Sequence, residues 1–351
     1  MNIYLDDSNC KEALQPFSLT RHVAQIRVGI LTIARKWQLL TDATIHLHSD
    51  SLPEGTITVP ANLLPNSQNV NTILGAFQIK NTVQQAIEGV ISINYPWHIY
   101  QNNASAIKDD FDLITKDRTS EILTEGNFCN NPQQLFIEEG AAIHHTIFNT
   151  TDGPIYIGKN ALVMEGSLIR GPFALGESST IKMGTTIYGG TSIGPHCVVG
   201  GEIKNSVIFG YSNKAHHGYL GDSVIGAWCN LGAGTSNSNV KNTASIVTYQ
   251  LQRSAEPIAT TQKGGLLMGD YSRSAINTSF NTGAVVGVCC NIFGEISSKK
   301  YFNNFSWGHD QYKLAEAMAH IAHWKKMKNE LLSTEEQTIL ANIYKTTISK
   351  S

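Results

Sequence analysis

Between residues 157 and 199, an aliphatic residue occurs at every sixth position. The series consists of Ile157, Val163, Ile169, Leu175, Ile181, Ile187, Ile193 and Val199. A six-residue period fits neither an amphipathic helix nor a strand with one buried face. It is typical of hexapeptide repeats, in which short strands form successive coils and each aliphatic side chain points inward. We therefore predict a left-handed parallel β-helix.

Composition and charge exclude several classes of protein. The chain has 351 residues, a formal net charge of −2 and 41% hydrophobic residues, which suits two domains and an appendage. A charge near neutrality argues against a dedicated nucleic-acid-binding protein. No apolar run reaches the length of a membrane-spanning helix. The segment Met1–Asp7 lacks a basic region and a long apolar core, so we predict no signal peptide and a cytoplasmic location.

The cysteines indicate a reducing environment. None of them forms a C-x-x-C pair, and they are scattered as Cys10, Cys129, Cys197, Cys229, Cys289 and Cys290. Several occupy coil positions that favour small side chains. We predict buried free thiols, which fits a cytoplasmic protein.

Changes in pattern divide the chain into four parts. These are residues 1–115, a small α/β domain; 116–134, a connector; 135–300, the β-helix, interrupted by a polar inserted loop at 236–265; and 301–351, C-terminal helices. Within the first part we predict strands at Ile3–Leu5 and Ala43–Leu47 and helices at Val23–Leu40 and Asn81–Glu88. In the last part, Ser333–Glu336 is typical of a helix start.

The six-residue register is interrupted after Val199. It slips by two residues and resumes at Val207, Asn213, Tyr219, Ile225 and Leu231, and after the loop it returns at Met268, Ser274, Phe280, Val286 and Ile292. We expect these side chains to point inward. In this register His196 and His216 take the same place in their hexapeptides, so we expect the two imidazoles to share one corner of the coil.

The segment that follows the slip is rich in polar and titratable residues. It contains Gly201-Glu202-Ile203-Lys204, Lys214-Ala215-His216-His217, Tyr219-Leu220-Gly221-Asp222 and Asn230-Leu231-Gly232-Ala233-Gly234-Thr235. A histidine beside a projecting loop is suited to act as a general base. From the residues alone, a surface histidine hydrogen-bonded along a coil corner is the simpler interpretation.

These four motifs and their spacing resemble the acetyltransferase half of the bifunctional N-acetylglucosamine-1-phosphate uridyltransferase / glucosamine-1-phosphate acetyltransferase family. The resemblance implies that His216 is the general base that accepts a proton from the sugar amine as it attacks acetyl-CoA. The other implied site residues are Lys204 for the sugar phosphate, Tyr219, Asn230 and Asn239 for the acceptor, and Ala233 beside the acetyl-CoA thioester. It also implies a homotrimer with the site between two subunits, closed by the inserted loop.

The chain departs from the family pattern at several positions. His217 is a second candidate for the base, and Val240 replaces the family's tyrosine next to the second acceptor asparagine. The family's additional acceptor-binding arginine has no evident counterpart, although Lys182 or Arg170 can substitute. The identity of the acceptor sugar and the acyl chain length therefore stay open.

The N-terminal part carries a second, shorter resemblance. Residues Pro16–Arg21 resemble the Pro-Leu-Thr-x-x-Arg piece of sugar-phosphate nucleotidyltransferases, but Asp6–Lys11 replaces the glycine-rich loop that binds nucleotide phosphates there. The resemblance implies weak nucleotide-binding candidates in Arg21 and Arg27. Further candidates are Lys36 for phosphate and Asp109, Asp110 and Asp112 for Mg²⁺. Ordinary surface charges are the simpler interpretation of all of them.

Three functions follow from these patterns. The first is a CoA-dependent N-acetyltransferase acting on an amino-sugar phosphate. The second is a bifunctional enzyme that also forms UDP-N-acetylglucosamine from UTP with Mg²⁺, and the third is a non-catalytic trimeric scaffold. A zinc hydrolase is disfavoured because His144-His145 and His216-His217 are adjacent pairs and no His-x4-His pair occurs. We therefore expect no protein-bound metal, nucleic acid or membrane partner.

Overall fold

A small α/β domain precedes the repeats in the computed structural model, which describes residues 1–79, 87–253, 255–296 and 299–349. Its elements are β1 (Asn2–Asp6), α1 (Ile33–Thr41), β2 (Thr44–His46), β3 (Ile57–Pro60), β4 (Leu63–Leu64), α2 (Val70–Ile79), β5 (Ile91–Ser92), α3 (Trp97–Gln101) and α4 (Asn103–Thr115). Three parallel strands lie in the order β2-β1-β3, and β4 pairs with β5. Both predicted strands are confirmed.

The predicted helix over Val23–Leu40 is wrong in its first half. Only a short 3₁₀ turn forms at Val23–Gln25 before α1. Between them the chain reverses at Gly29, which has a φ of 84°, and Arg27 pairs with Thr32. The Thr32 side chain then caps α1. Most of the second predicted helix, Asn81–Glu88, lies outside the described residues.

The β-helix is confirmed as a left-handed parallel solenoid with three faces. The first face consists of Leu135–Ile137, Ile155–Ile157, Phe173–Leu175, Thr191–Ile193, Val207–Ile208, Val224–Ile225, Leu267–Met268, Val285–Val286 and Tyr301–Phe302. The second consists of Ala142–Ile143, Leu162–Val163, Thr180–Ile181, Val198–Val199, Asn213–Lys214, Asn230–Leu231, Arg273–Ser274, Asn291–Ile292, Ser306–Trp307 and the antiparallel Asp310–Gln311.

The third face is shorter. It consists of Phe128–Cys129, Ile147–Asn149, Leu168–Arg170, Thr186–Ile187, Glu202–Lys204 and Tyr219–Gly221, followed by the separate pair Ser236–Asn237 and Ser279–Phe280. We call the turns from the first to the second face, from the second to the third, and from the third to the first the first, second and third corners. Parallel pairing runs from Phe128 to Trp307, beyond the predicted limits of 135 and 300.

The interior confirms the repeat up to Val199 and corrects it afterwards. All eight aliphatic residues from Ile157 to Val199 are buried. The next inward residues are Ile203, Ile208, Lys214 and Leu220, so the expectation for Val207, Asn213 and Tyr219 is wrong by one residue. The reason is that the coils shorten, from the eighteen residues between Leu175 and Ile193 to fifteen between Ile193 and Ile208. The predicted inward residues from Met268 to Ile292 are buried.

Small hydroxyl and thiol side chains line the inside of the first corner. Serine and cysteine alternate there as Ser179, Cys197, Ser212, Cys229, Ser272, Cys290 and Ser306. Each of the first six donates to a carbonyl of the next coil, for example Ser212 Oγ to Gly226 O at 2.7 Å and Cys229 Sγ to Gly269 O at 3.2 Å. Buried free thiols are therefore confirmed at these positions, and burial raises their pKa values.

The α/β domain covers the first face. Outward side chains of that face, Val207, Val224, Leu267 and Val285, share one core with Trp37 and Tyr100. Buried Asn103 of α4 donates to Gly190 O at 2.8 Å and accepts from Gly29 N at 2.7 Å. The two regions therefore pack as one body across the first face.

The inserted loop and the C-terminal helices lie on the sides of the solenoid. The loop spans 238–265, because Ser236–Asn237 is a strand, and it contains an antiparallel hairpin of Thr248–Tyr249 with Ile258–Ala259. Tyr249 stacks on Trp97 of α3 at 5.2 Å. The C-terminal helices are α5 (Leu314–Lys326) and α6 (Thr334–Ser349).

The start predicted at Ser333 is confirmed. The Ser333 hydroxyl accepts from Glu336 N, and the Glu336 carboxylate accepts from Ser333 N. Both helices pack on the first corner of the last coils, around Tyr271 and Phe305. No described helix combines the length and the apolar character that crossing a membrane requires.

Candidate functional site

The second corner between residues 215 and 218 carries the two adjacent histidines, and both are exposed. A groove of about 370 Å³ opens beside it, lined by Gly184, Thr186, Gly201, Glu202, His217, Gly218 and Tyr219. His217 lines this groove, whereas His216 does not. We call it the second-corner groove. It places an imidazole, a carboxylate and a phenol around one open space.

Tyr219, which lines the groove, is hydrogen-bonded to Asn239. The Asn239 amide donates to Tyr219 Oη at 3.0 Å and to Asp222 Oδ2 at 2.6 Å. Both hydrogens of that amide are then used, so Asn239 can present only its Oδ1 to a ligand. Burial, with the Asp222 carboxylate as a second cause, raises the pKa of Tyr219 to about 12. The phenol is therefore protonated at neutral pH and can donate.

Asp222 holds this group together from the third corner. Its buried carboxylate accepts from Asn205 as well as from Asn239, each at 2.6 Å. Two amide donors satisfy a carboxylate for which the described residues provide no cationic partner within ion-pair distance. The Tyr219 ring lies over Gly221, where an added Cβ would be 2.2 Å from Tyr219 Oη. Glycine at 221 therefore leaves room for the tyrosine.

Lys204 lies on the same face as Tyr219. Its strand pairs directly with that of Tyr219, with Glu202 opposite Tyr219 and Lys204 opposite Gly221. The half-buried ammonium lies 5.8 Å from the Tyr188 ring centroid. The structure therefore brings together Lys204, Tyr219 and Asn239, three of the residues predicted from the sequence, close to His217.

Asn230 and Ala233 lie apart from this group. Asn230 is on the outside of the second face, where it accepts from Asn213 Nδ2 at 3.4 Å. Lys328, just after α5, donates to that same Asn213 at 3.1 Å. Ala233 is at the second corner one coil further on, and its carbonyl accepts from Asn277 N at 2.6 Å. Within one chain, Asn230 and Tyr219 are thus on different faces.

The expectation that His196 and His216 share a corner is wrong. His196 is at the first corner, stacked on Tyr211 at 4.7 Å, whereas His216 is at the second. Tyr211 stacks in turn on Trp228 at 4.3 Å. The shortened coils shift the register between the two histidines, so equal places in a hexapeptide no longer mean equal corners.

Sequence reasoning assigned no role to three residues beside the groove, although two of them, Lys214 and Asp222, stand in the quoted motifs. Lys214 points into the solenoid and donates to His216 O at 2.5 Å. Asp222 accepts hydrogen bonds from both Asn205 and Asn239 and so fixes the orientation of the Asn239 amide. Lys214 had a detectable signal, since the position one coil earlier is Val199 and the position one coil later is Leu231. Asn205 had none.

The N-terminal candidates are used for docking rather than left free. Arg21 forms an ion pair with Asp270, which also accepts from Thr20 Oγ1 at 2.8 Å and from Ala227 N at 2.9 Å. Its guanidinium lies 4.8 Å from the Phe209 ring centroid. Pro16–Arg21 therefore attaches the α/β domain to the solenoid, and Arg21 is not available to a nucleotide in this arrangement.

The other N-terminal charges also have protein partners. Arg27 donates to Ile30 O, and Lys36 forms a buried ion pair with Asp110. Asp110 further accepts from Ile30 N at 2.8 Å and Leu31 N at 3.0 Å. Asp109 accepts from Asn66. The described residues contain no group of three or more His, Cys, Asp or Glu able to hold a metal ion.

The fold defines a structural class: a hexapeptide-repeat β-helix with a small α/β domain docked on one face. Comparison with known proteins agrees with this class. The family described as sugar nucleotidyl transferase matches residues 3–76. The chain is 27% identical over 195 residues to the bifunctional protein GlmU of Methanococcus maripaludis (strain C5), covering 56% of this chain and 41% of that protein.

Other proteins of the same name also match. GlmU of Methanocaldococcus jannaschii is 31% identical over 120 residues, 34% of this chain and 27% of that protein. GlmU of Picosynechococcus is 40% identical over 67 residues, which cover 18% of this chain and 15% of that protein. The chain thus matches less than half the length of these relatives. The resemblance predicted from the motifs is confirmed, since the chain is similar to bifunctional GlmU proteins over part of their length.

Proposed function

We propose that the protein is a sugar-phosphate transferase with two sites, an acyl-transfer site on the β-helix and a nucleotidyl-transfer site in the α/β domain. The match of residues 3–76 to sugar nucleotidyl transferases, together with the GlmU relatives, supports this bifunctional alternative better than acetyl transfer alone. The two activities are considered in turn because different residues carry them.

The acyl-transfer proposal rests on the second-corner groove. A general base must reach the amine of the acceptor, and His217 is the histidine that lines the groove. It would accept the amine proton as nitrogen attacks the acetyl carbonyl of acetyl-CoA and the thiolate departs. His216, the base predicted from the motif spacing, is exposed one residue away and stays the second candidate.

The acceptor would be an amino-sugar phosphate. The Lys204 ammonium can pair with the phosphate as a point charge. The Tyr219 hydroxyl can donate to a sugar oxygen. Asn239 Oδ1 can accept from a sugar hydroxyl, whereas both amide hydrogens of Asn239 are already donated to Asp222 and Tyr219. This set suits a small, polyhydroxylated anion, while acetyl-CoA would lie along the coils near Ala233.

A homotrimer would bring the missing acceptor residue to the groove. Asn230 is on the second face, so it would reach the third-face residues only from a neighbouring subunit. The third face also exposes an apolar ladder of Phe128, Ile147 and Leu168, between 47% and 58% exposed. Such a ladder suits contact with another copy. Light scattering after gel filtration tests this; a monomer at micromolar concentration would contradict the trimer.

The acyl-transfer test measures thiol release from acetyl-CoA with glucosamine-1-phosphate. The variants are H216A, H217A and the double variant, and the control is H144A/H145A, an adjacent pair at the same corner of the first coils. We expect H217A to lower kcat about 10²–10⁴-fold and the control pair to have no effect. Undiminished turnover in the H216A/H217A variant would exclude both histidines as the base.

The nucleotidyl-transfer site would lie on the α/β domain. A cleft of about 900 Å³ opens beside α1 and β2, and exposed Arg35 lines it with Thr32 and Gln38. This space is large enough for a nucleotide, and Arg35 can bind a phosphate. Mg²⁺ would arrive with the nucleotide phosphates and keep several of its waters.

Pyrophosphate release from UTP, Mg²⁺ and N-acetylglucosamine-1-phosphate tests this second site. We expect R35A to lower the rate and R118A, which removes an exposed arginine paired with Glu138, to leave it unchanged. Thiol release without pyrophosphate would reduce the function to acetyl transfer. Silence in both assays would favour a scaffold or a different sugar. The buried free thiols support a cytoplasmic location for either function.

A further inference from the structure

Lys214 occupies a place in the solenoid that otherwise belongs to aliphatic residues. In the stack along the second face, Val199 precedes it and Leu231 follows it. Its side chain points inward and only 3% of the residue is exposed. Nζ donates to His216 O at 2.5 Å, and the described residues offer this ammonium no other hydrogen-bond acceptor. A lysine is an unfavourable choice at such a position.

The same contact coincides with an irregular corner. At three other second corners, the carbonyl two residues after the inward residue accepts from a backbone N–H of the next coil. These regular bonds join His145 O to Gly166 N at 3.0 Å, Glu165 O to Gly184 N at 2.9 Å and Ala233 O to Asn277 N at 2.6 Å. At the candidate site the bond from Gly234 N goes to His217 O instead, at 3.0 Å. The carbonyl that the register would supply, that of His216, is turned inward to Lys214.

The two observations explain each other. Because the ammonium holds the His216 carbonyl inside, the corner shifts by one residue and His217 takes the place next to the groove. We propose that Lys214 is a positioning residue for the proposed acyl transfer: it fixes the corner so that the His217 imidazole faces the space beside Glu202 and Tyr219. This inference rests on the proposed function. Burial lowers the pKa of the Lys214 ammonium to about 8, which is consistent with a group retained for the site rather than for the fold.

The test replaces Lys214 with a side chain that suits the stack. K214M has similar length, no charge and no hydrogen-bond donor, so the solenoid should form and its melting temperature should not fall. We expect kcat for acyl transfer to drop at least about tenfold, because small displacements of a catalytic group have such effects, while KM for acetyl-CoA changes less than about twofold. L231M, one coil later in the same stack, is the matched control and should retain full kcat.

A crystal structure of K214M gives a readout that does not depend on activity. We expect the His216 carbonyl to accept from Gly234 N, as at the regular corners, and His217 to leave the groove. An unchanged corner with unchanged kcat would overturn the proposal, and so would a K214M chain that cannot fold. If the wild-type protein transfers no acyl group, the proposed function fails, while the crystal structure still decides whether Lys214 sets the corner.

Discussion

The coils before and after Val199 are built on the same plan but differ in what fills them. Between Ile157 and Val199 each coil has eighteen residues and an aliphatic residue at every sixth, inward position. After Val199 the coils shorten, and inward positions include Lys214 and Asn237. The regular coils need only to stack. The irregular coils place polar groups at the corners, and the candidate site lies among them.

This contrast separates stability from function along one solenoid. A residue that repeats the pattern is explained by packing alone, because its burial against the same residue type above and below is favourable. A residue that breaks the pattern is unfavourable for packing and therefore indicates another role. Four predictions, in order of decreasing effect, test whether the contrast holds.

The largest effect is expected in the regular coils. Ile181 is fully buried between Val163 and Val199, so I181A should lower the free energy of unfolding by about 2–5 kcal/mol. The kcat of the folded fraction should not change, because the side chain points into the solenoid and does not line the groove. Urea denaturation and thiol-release assays on the same preparation measure both quantities. Reduced kcat in fully folded I181A would show that the regular coils also shape the site.

The second effect concerns pH and Lys214. Below pH 8 the folded protein carries the buried Lys214 ammonium, which lowers its free energy of unfolding. Between about pH 8 and 10.5 the amine is neutral in the folded state and still protonated in the unfolded state. Stability should therefore rise with pH in this window, by up to about 3 kcal/mol for this residue. K214M lacks the group and should not show this rise.

Urea denaturation of the wild-type protein and K214M at pH 7 and pH 10 measures the difference between the two curves, which cancels the titration of other groups. We expect K214M to be the more stable protein at pH 7 and its advantage to shrink at pH 10. Parallel curves would mean that Lys214 is solvated or already neutral.

The third effect is on activity and not on stability. Y219F removes the hydroxyl that accepts from Asn239 and should change the free energy of unfolding by no more than about 1 kcal/mol. It should lower kcat/KM for the sugar phosphate about tenfold, equivalent to about 1.4 kcal/mol. Y188F, on the same face beside Lys204, is a matched control. Equal losses of kcat/KM in Y219F and Y188F would mean that the effect is not specific to the Tyr219 hydroxyl but belongs to the third face as a whole.

The regular part of this fold is predictable from the sequence because one residue type repeats at one spacing. The eight residues from Ile157 to Val199 predicted the architecture, and the resemblance of the motifs predicted Lys204, Tyr219 and Asn239 as site residues, which the structure brings together. The interruption after Val199 was evident in the sequence, but the corners at which residues are lost were not, and so the inward register and the corner of His196 were wrong. Docking of Arg21 on Asp270 was equally hidden, since the partners are 249 residues apart.

The smallest effect is expected where the two kinds of coil agree. The alternating serine and cysteine side chains inside the first corner continue through both regions, and both types donate to a carbonyl of the next coil. C197S in the regular coils and C229S in the irregular ones should therefore each change the free energy of unfolding by less than about 1 kcal/mol, with kcat unchanged. Thermal denaturation compares the two. A large loss of stability in C229S alone would show that the irregular coils tolerate substitution less well than the regular coils. The contrast between the two kinds of coil would then include their buried corner residues.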